Sequence, residues 1–276
     1  MRYIRSGIVV LFAAALALWL AVNVLMVRGK DTTPPVITST AEEVELSVSD
    51  IEEEMLKGLT AFDDVDGDLT DKIRVGNHSK FIHPGVCEVS YLVFDSSCNV
   101  GQYTRRVTYT NYESPRFTLT APLSYEVGSS VSLLSRIGAV DVLDGQIDGK
   151  IKIVSSNINS EKEGIYTAKF EVSNEYADVS AITLPVHVEE RNAFSEDVPE
   201  IVLNNYLIYL KKGESFQPKS FLKEVREPDG TEGSISRVKI KNGVNTSEEG
   251  VYEVTYTYRS TGGNTGTTYL AVVVTE

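Results

Sequence analysis

Apolar and polar side chains alternate in three stretches that align without gaps: GVCEVSYLVFDSSCNVGQ from Gly85, GIYTAKFEVSNEYADVSA from Gly164 and GVYEVTYTYRSTGGNTGT from Gly250. Each alternates for about nine residues, turns, and alternates again in RRVTYT, TLPVHV or LAVVVT. A period of two is that of an extended chain half-buried in a sheet, so each stretch predicts a β-hairpin. Cys87, Val89, Tyr91 and Val93 fall on one face, as do Tyr166, Ala168, Phe170 and Val172, and Tyr252, Val254, Tyr256 and Tyr258. These rows are the expected core. The facing rows, such as Glu88 and Ser90, or Thr167, Lys169 and Glu171, suit water, the alternation typical of antiparallel sheets.

Each hairpin closes a unit of about 80 residues that begins with a proline and a short β-rich run: DTTPPVITST, YESPRFTLT and DVPEIVLNN. Many short strands with frequent turns predict sandwiches, and short proline-containing connectors predict restricted hinges. A second motif recurs as well. Residues 60–73 read TAFDDVDGDLTDKI and residues 138–151 read GAVDVLDGQIDGKI, matching Ala61, Asp63, Asp66, Gly67, Lys72 and Ile73 with Ala139, Asp141, Asp144, Gly145, Lys150 and Ile151.

Ahead of the repeats, Gly7 to Val27 is an uncharged apolar run. A helix of that length crosses a hydrocarbon core of roughly 30 Å, and it continues past the short apolar region of an ordinary secretory signal. A retained signal anchor is expected. Arg2 and Arg5 before the run and Arg28 and Lys30 after it nearly cancel. A short amino-terminal tail and a large acidic remainder favour the amino terminus inside and the carboxy-terminal portion outside. Asn23, within the run, is expected only as a helix-interface or boundary residue.

Charge removes one class of partner. The chain of 276 residues has 26 basic and 39 acidic side chains. Four of the bases lie in the first thirty positions, which hold no acid, so the rest carries a formal −17. Such a surface repels phosphate backbones and argues against nucleic acid.

The residues PPVIT from Pro34, AFDDVDGDLT from Ala61, PGVCEVSYLVFDSSCN from Pro84 and the closing strand together resemble the bacterial surface immunoglobulin-like domains. These occur in tandem on Gram-positive surface and secreted proteins and in some pesticidal crystal proteins. The second unit keeps Ala139, Asp141, Asp144 and Gly145, with Asn174 and Asp178 in its hairpin turn; the third has Arg226 in place of Asp63 and retains Asp229-Gly230. The resemblance implies immunoglobulin-like β-sandwiches, and together with the apolar run it sets the expected fold as all-β: three tandem immunoglobulin-like β-sandwiches after one N-terminal transmembrane helix. The expected divisions are a cytoplasmic tail at 1–6, the anchor at 7–27, a linker at 28–35, and domains at 36–112, 113–192 and 193–276. It also implies a cell-surface address but little biochemistry, since such sandwiches host many roles. With no catalytic motif in the sequence, the expected role is binding, adhesion or spacing without catalysis, with a protein or cell-wall glycan as ligand. An accessory subunit of a cell-envelope enzyme and a calcium-stabilised stalk are the alternatives.

Two readings of the acidic motif stand side by side. Calcium takes six to eight oxygen ligands and would use Asp63, Asp64, Asp66 and Asp68. EF-hand spacing does not fit, since the first ligand slot would fall on Phe62. Alternatively, Asp63 and Asp66 accept backbone hydrogen bonds in a turn where Gly67 supplies positive φ. Cys87 and Cys98 are separated by a strand, too far for a disulfide, so Cys87 is expected as a buried apolar residue and Cys98 as a free surface thiol. Tyr166 and Tyr252 are candidates for a tyrosine corner. His78, His83 and His187 show no metal spacing and are expected as surface or incidental residues; Arg105-Arg106 is expected as a solvated pair at a strand end. The stretch NNYLIYLKKGESF from Asn204 is expected as a core strand and turn.

Overall fold

The computed structural model describes the backbone of residues 2–28, 31–50 and 52–276, and the side chains of 7, 8, 10–23, 31–50, 53–190 and 193–276. A helix spans Arg2–Arg28, with the Asn23 amide turned back onto the Trp19 carbonyl at 2.8 Å. Among the described residues no helix is long and apolar enough to cross a membrane. The anchor expected over 7–27 thus falls partly on side chains outside the described set. Beyond it the regular structure is mainly β-strand, with a one-and-a-half-turn helix at Glu52–Leu56 and short 3-10 turns.

The chain forms two compact units. One comprises residues 1–79 and 86–110, the other 80–85 and 111–276.

In the first unit, strands Val36–Ser39, Leu59–Asp63 and Gly67–Asp68 make a three-stranded sheet. A four-stranded sheet runs in the order Glu43–Leu46, Val100–Tyr109, Val86–Phe94, Arg74–His78. The hairpin at its centre pairs Val86 with Thr108 through Phe94 with Val100. That register puts Cys87, Val89, Tyr91 and Val93 on the inner face, each at most 2% exposed. The outer strand Glu43–Leu46 pairs parallel with Val100–Tyr109. This departs from an all-antiparallel sheet, because a period of two marks faces and carries no information about strand direction. Gly101 has no room for a side chain: a β-carbon there would lie 2.1 Å from the Pro35 carbonyl oxygen.

The second unit holds the other two repeats, each with a four-stranded sheet of the same design. One runs Lys152–Ser156, Gly164–Ser173, Val179–Glu189, Ser124–Glu126; the other runs Lys239–Asn242, Gly250–Arg259, Thr265–Thr275, Leu207–Lys211. In each, the last strand named pairs parallel with its neighbour. Facing them are a three-stranded sheet from 116–146 and a two-stranded sheet from 200–226. The expected rows face inward again, with Phe170 and Tyr256 fully buried. Tyr166 and Tyr252, at the strand starts, are half-buried instead. Their hydroxyls donate to the carbonyls of Lys162 and Glu248, four residues upstream, as a tyrosine corner does.

Within this unit the two repeats share packing. Leu207 and Ala271 belong to the core built around Phe117 and Phe170. The Tyr209 hydroxyl accepts from the Phe117 N–H at 2.9 Å, and the Arg116 guanidinium lies over the Tyr209 ring. His187 is not a surface histidine. It is 5% exposed, stacks on Tyr269 at 3.6 Å between ring centres, and bonds Glu253 at 2.8 Å.

Arg105 corrects another expectation. It lies on the inward row of its strand, 2% exposed, and donates to the carbonyls of Lys57 and Met55 and to the Tyr91 hydroxyl. Those carbonyls come from the end of the short helix, whose unpaired C=O groups need donors. A buried guanidinium is tolerated where several acceptors receive it.

Candidate functional site

The acidic turn of the first unit begins where the strand Leu59–Asp63 ends. The Asp63 Oδ1 accepts from the N–H groups of Val65 and Asp66, both at 2.9 Å. Gly67 follows at φ +76°, a conformation that costs a residue with a β-carbon. The Asp68 Oδ1 then accepts from the Thr70 N–H at 2.9 Å and starts the next turn. The second repeat is built alike: the Asp141 Oδ1 accepts from Leu143 and Asp144, both at 2.9 Å, and Gly145 sits at φ +71°. Turn formation by these aspartates is therefore observed in both repeats.

The hairpin turn brings up the other wall. The Asp95 Oδ1 accepts from the Asn99 N–H at 2.7 Å, and its Oδ2 accepts from the Asn99 side-chain amide at 2.6 Å. That amide also reaches the carbonyls of Asp31 and Thr33, at 3.2 and 3.4 Å. The Asp66 Oδ2 accepts from the Ser96 N–H at 2.9 Å and its hydroxyl at 3.0 Å. These two bonds, the backbone one foremost, hold the Asp66 carboxyl below the ordinary carboxylate range.

Asp31, Asp63, Asp66 and Asp95 consequently converge, each offering one oxygen within 4.8 Å of the others. Asp63 is 2% exposed and Asp95 6%. The Oδ2 atoms of Asp63 and Asp31 are buried and have no hydrogen-bond partner. Two carboxylates that close repel by about 3 kcal/mol at an effective dielectric near 20. The arrangement offers hard oxygen donors and nothing resembling a nucleophile with its base.

Of the four aspartates expected as ligands, Asp63 and Asp66 join this group. Asp64 and Asp68 are exposed, and Asp68 is occupied with Thr70. Sequence reasoning missed Asp31 and Asp95. Their signals were position alone: one just before the first proline run, the other opening the hairpin turn.

The second repeat fills the matching place differently. An offset of 78 aligns Asp63 and Asp66 with Asp141 and Asp144, and an offset of 79 aligns Asp95 and Asn99 with Asn174 and Asp178. Here the Tyr112 hydroxyl donates to the Asp178 Oδ2 at 2.7 Å and accepts from the Asn174 amide at 2.9 Å. The same amide donates to the Asp141 Oδ2 at 3.1 Å, the oxygen whose counterpart in Asp63 is unpartnered. Burial, and then the Asp178 carboxylate, push the Tyr112 phenol well above its usual range, so it stays a donor. Lys150 adds an ion pair to Asp144 at 3.0 Å. In the third repeat, Tyr258 donates to Glu227 at 2.6 Å and accepts from Arg237 at 3.2 Å.

Residues 204–274 match the family model for the bacterial surface protein, Ig-like domain. This segment is a bacterial surface Ig-like domain. Pesticidal crystal protein Cry22Aa of Bacillus thuringiensis is 32% identical over 206 residues, covering 72% of this chain and 27% of that protein. An uncharacterized 81.3 kDa protein of Acholeplasma phage L2 is 24% identical over 182 residues, covering 64% and 23%. The chain thus spans about a quarter of the length of these curated relatives. A solved structure of CBM51-2 with GlcNAc and INT domains, from Clostridium perfringens ZmpB, aligns over 54% of this chain and 26% of its own. That alignment has 18% identity and a TM-score of 0.23, too low to bear on arrangement or ligand. Among the described residues the carboxylate cluster lies in the first repeat and not in the Ig-like domain at 204–274.

Proposed function

We propose that the chain is a membrane-anchored, cell-surface array of three Ig-like domains, divided at 36–112, 113–192 and 193–276, that binds or spaces without catalysing a reaction. The Ig-like domain at 204–274, repeated in pattern upstream, carries this reading. The anchor is residues 7–27, supported by the uncharged run from Gly7 to Val27 inside a 27-residue helix, about 40 Å at 1.5 Å per residue. The carboxy-terminal portion is extracellular and the ligand is a protein or a cell-wall glycan.

The face of the first repeat formed by Val36, Thr38, Thr60 and Phe62 suits a ligand best. It lines a shallow trough of about 600 Å³ with Asp64 at its rim, and Phe62 is 59% exposed. An exposed ring beside hydroxyls and a carboxylate can stack on a sugar and bond its edges. In the second repeat, the matching face around Arg116 and Val140 is lined in part by Ile208 and Tyr209 of the third.

Two experiments test this. A membrane-impermeant maleimide should label Cys98 on intact cells; labelling only after lysis would refute the outward orientation. Full-length protein in detergent should co-sediment with purified cell walls, and Phe62→Ala should release it. Sedimentation indifferent to Phe62 would reject this face as the binding surface.

A further inference from the structure

We propose that the first repeat binds one calcium ion between Asp31, Asp63, Asp66 and Asp95. This does not depend on the ligand-binding role proposed above. The four carboxylates each present an oxygen within 4.8 Å of the rest. Proximity of acids alone would say little. The second observation is the Asp63 Oδ2: its residue is 2% exposed, its other oxygen is committed to two backbone N–H groups, and this one has no partner. The Asp31 Oδ2 is likewise buried and unpartnered, its Oδ1 being held by the Thr33 N–H at 2.9 Å. A buried acceptor without a donor is rare in a folded protein and marks a missing partner.

The second repeat shows what the partner must supply. There, the same turn on the same frame offers the Asp141 Oδ2, and the Asn174 amide donates to it beside the Tyr112 hydroxyl. The first repeat exchanges that pair, with Asp95 where Asn174 stands and Asn99 where Asp178 stands, and the Asn99 amide donates to the Asp95 Oδ2, leaving the Asp63 Oδ2 without a donor. Asp31 brings a further carboxylate into the group, which therefore needs positive charge. Lys72, the counterpart of Lys150, acts on Asp66 only through its charge at a distance. A divalent cation among the four oxygens would offset half of the carboxylate charge and occupy both unpartnered atoms.

The donors select the ion. All are carboxylate oxygens, with no imidazole or thiolate among them, which disfavours zinc. They come from three separate segments: the lead before the first strand, the strand-end turn and the hairpin turn. Calcium accepts irregular sets of six to eight oxygens, completed by water or carbonyls, whereas magnesium demands a near-ideal octahedron and keeps its waters. Bound there, the ion would tie those three segments together.

The test uses the full chain in detergent, stripped with chelator and titrated with calcium chloride in a calorimeter. One calcium per chain and a higher melting temperature in millimolar calcium are expected. Asp63→Asn should abolish both effects. Because that change also touches the turn, Asp95→Asn serves as the second variant: it installs the residue found at position 174, where the repeat folds. It should keep its fold by circular dichroism and lose at least about tenfold in calcium affinity, some 1.4 kcal/mol. Absence of heat and of any melting shift in the unmodified protein would overturn the proposal. So would undiminished affinity in Asp95→Asn, or an equal response to magnesium, which would mean charge screening only.

Discussion

In the first repeat the Asp63 carboxylate ends with one oxygen unpartnered among three further carboxylates, whereas the matching oxygen of Asp141 receives an amide proton beside a tyrosine hydroxyl. The backbone frame is common to both, since one oxygen of each aspartate receives the same two N–H groups. The difference lies in the second oxygen. What folds the turn is therefore separable from what balances its charge, and a repeat can change the latter while keeping the former. The third repeat makes a further exchange, with Tyr258, Glu227 and Arg237 bonded together.

Substitutions that trade residues between repeats probe this separation. The largest effect is expected from Gly101→Ser, which places the residue of position 180 where a β-carbon would meet the Pro35 carbonyl at 2.1 Å. A backbone obstacle cannot rotate away, so the first unit should lose about 3 kcal/mol or more, measured by denaturant unfolding. Wild-type stability in this variant would mean that the two sheets approach less closely than described. Tyr112→Phe comes next. It deletes the hydroxyl that links Asp178, Asn174 and Asp141 and should cost about 1–3 kcal/mol, confined to the second unit. An unchanged midpoint would show that the network contributes nothing to the fold.

The cysteines yield a smaller effect, read as reactivity. Burial pushes the Cys87 thiol up to about 11, while Cys98 is exposed in the turn at φ +66°. At pH 8 a thiol reagent should modify Cys98 at once and Cys87 only on unfolding. Because the folded state holds the Cys87 proton more tightly, its contribution to stability is complete below the unfolded pKa of about 8.5 and is lost as pH rises toward about 11. Labelling of both thiols at equal rates would contradict the packing of that strand. The smallest effect concerns Asp66, whose carboxyl is depressed by Ser96. Its stabilising contribution is present above the unfolded value near 3.9 and fades as pH falls through the lower folded value. Ser96→Ala, which leaves the backbone N–H bond in place, should move the Asp66 titration seen by NMR upward; no movement would deny the hydroxyl contact.

Much of this architecture was legible from alternation. The rows through Val89, Phe170 and Val254 were placed correctly because burial in a sheet imposes a period of two on the chain itself. Strand direction was not, since the parallel outer strand such as Glu43–Leu46 carries no local mark of its partner's sense. Arg105 shows a different failure. Its position on the inward row, between Tyr103 and Val107, was visible, yet its charge suggested solvent; the acceptors that receive it come from residues about fifty positions earlier. His187 was misread for the same reason, with Glu253 and Tyr269 far along the chain. The turn role of Asp63 was readable because its partners are two and three residues away. Asp31 and Asp95 were not, because only the folded sheets bring three distant segments together.

The most direct measurement is an anomalous difference map from crystals of the protein grown in calcium. One peak is expected in the first repeat, about 2.3–2.6 Å from oxygens of Asp31, Asp63, Asp66 and Asp95, and none beside Tyr112 and Asp141. A map without density among those four carboxylates, or with an equal peak in the second repeat, would contradict that expectation.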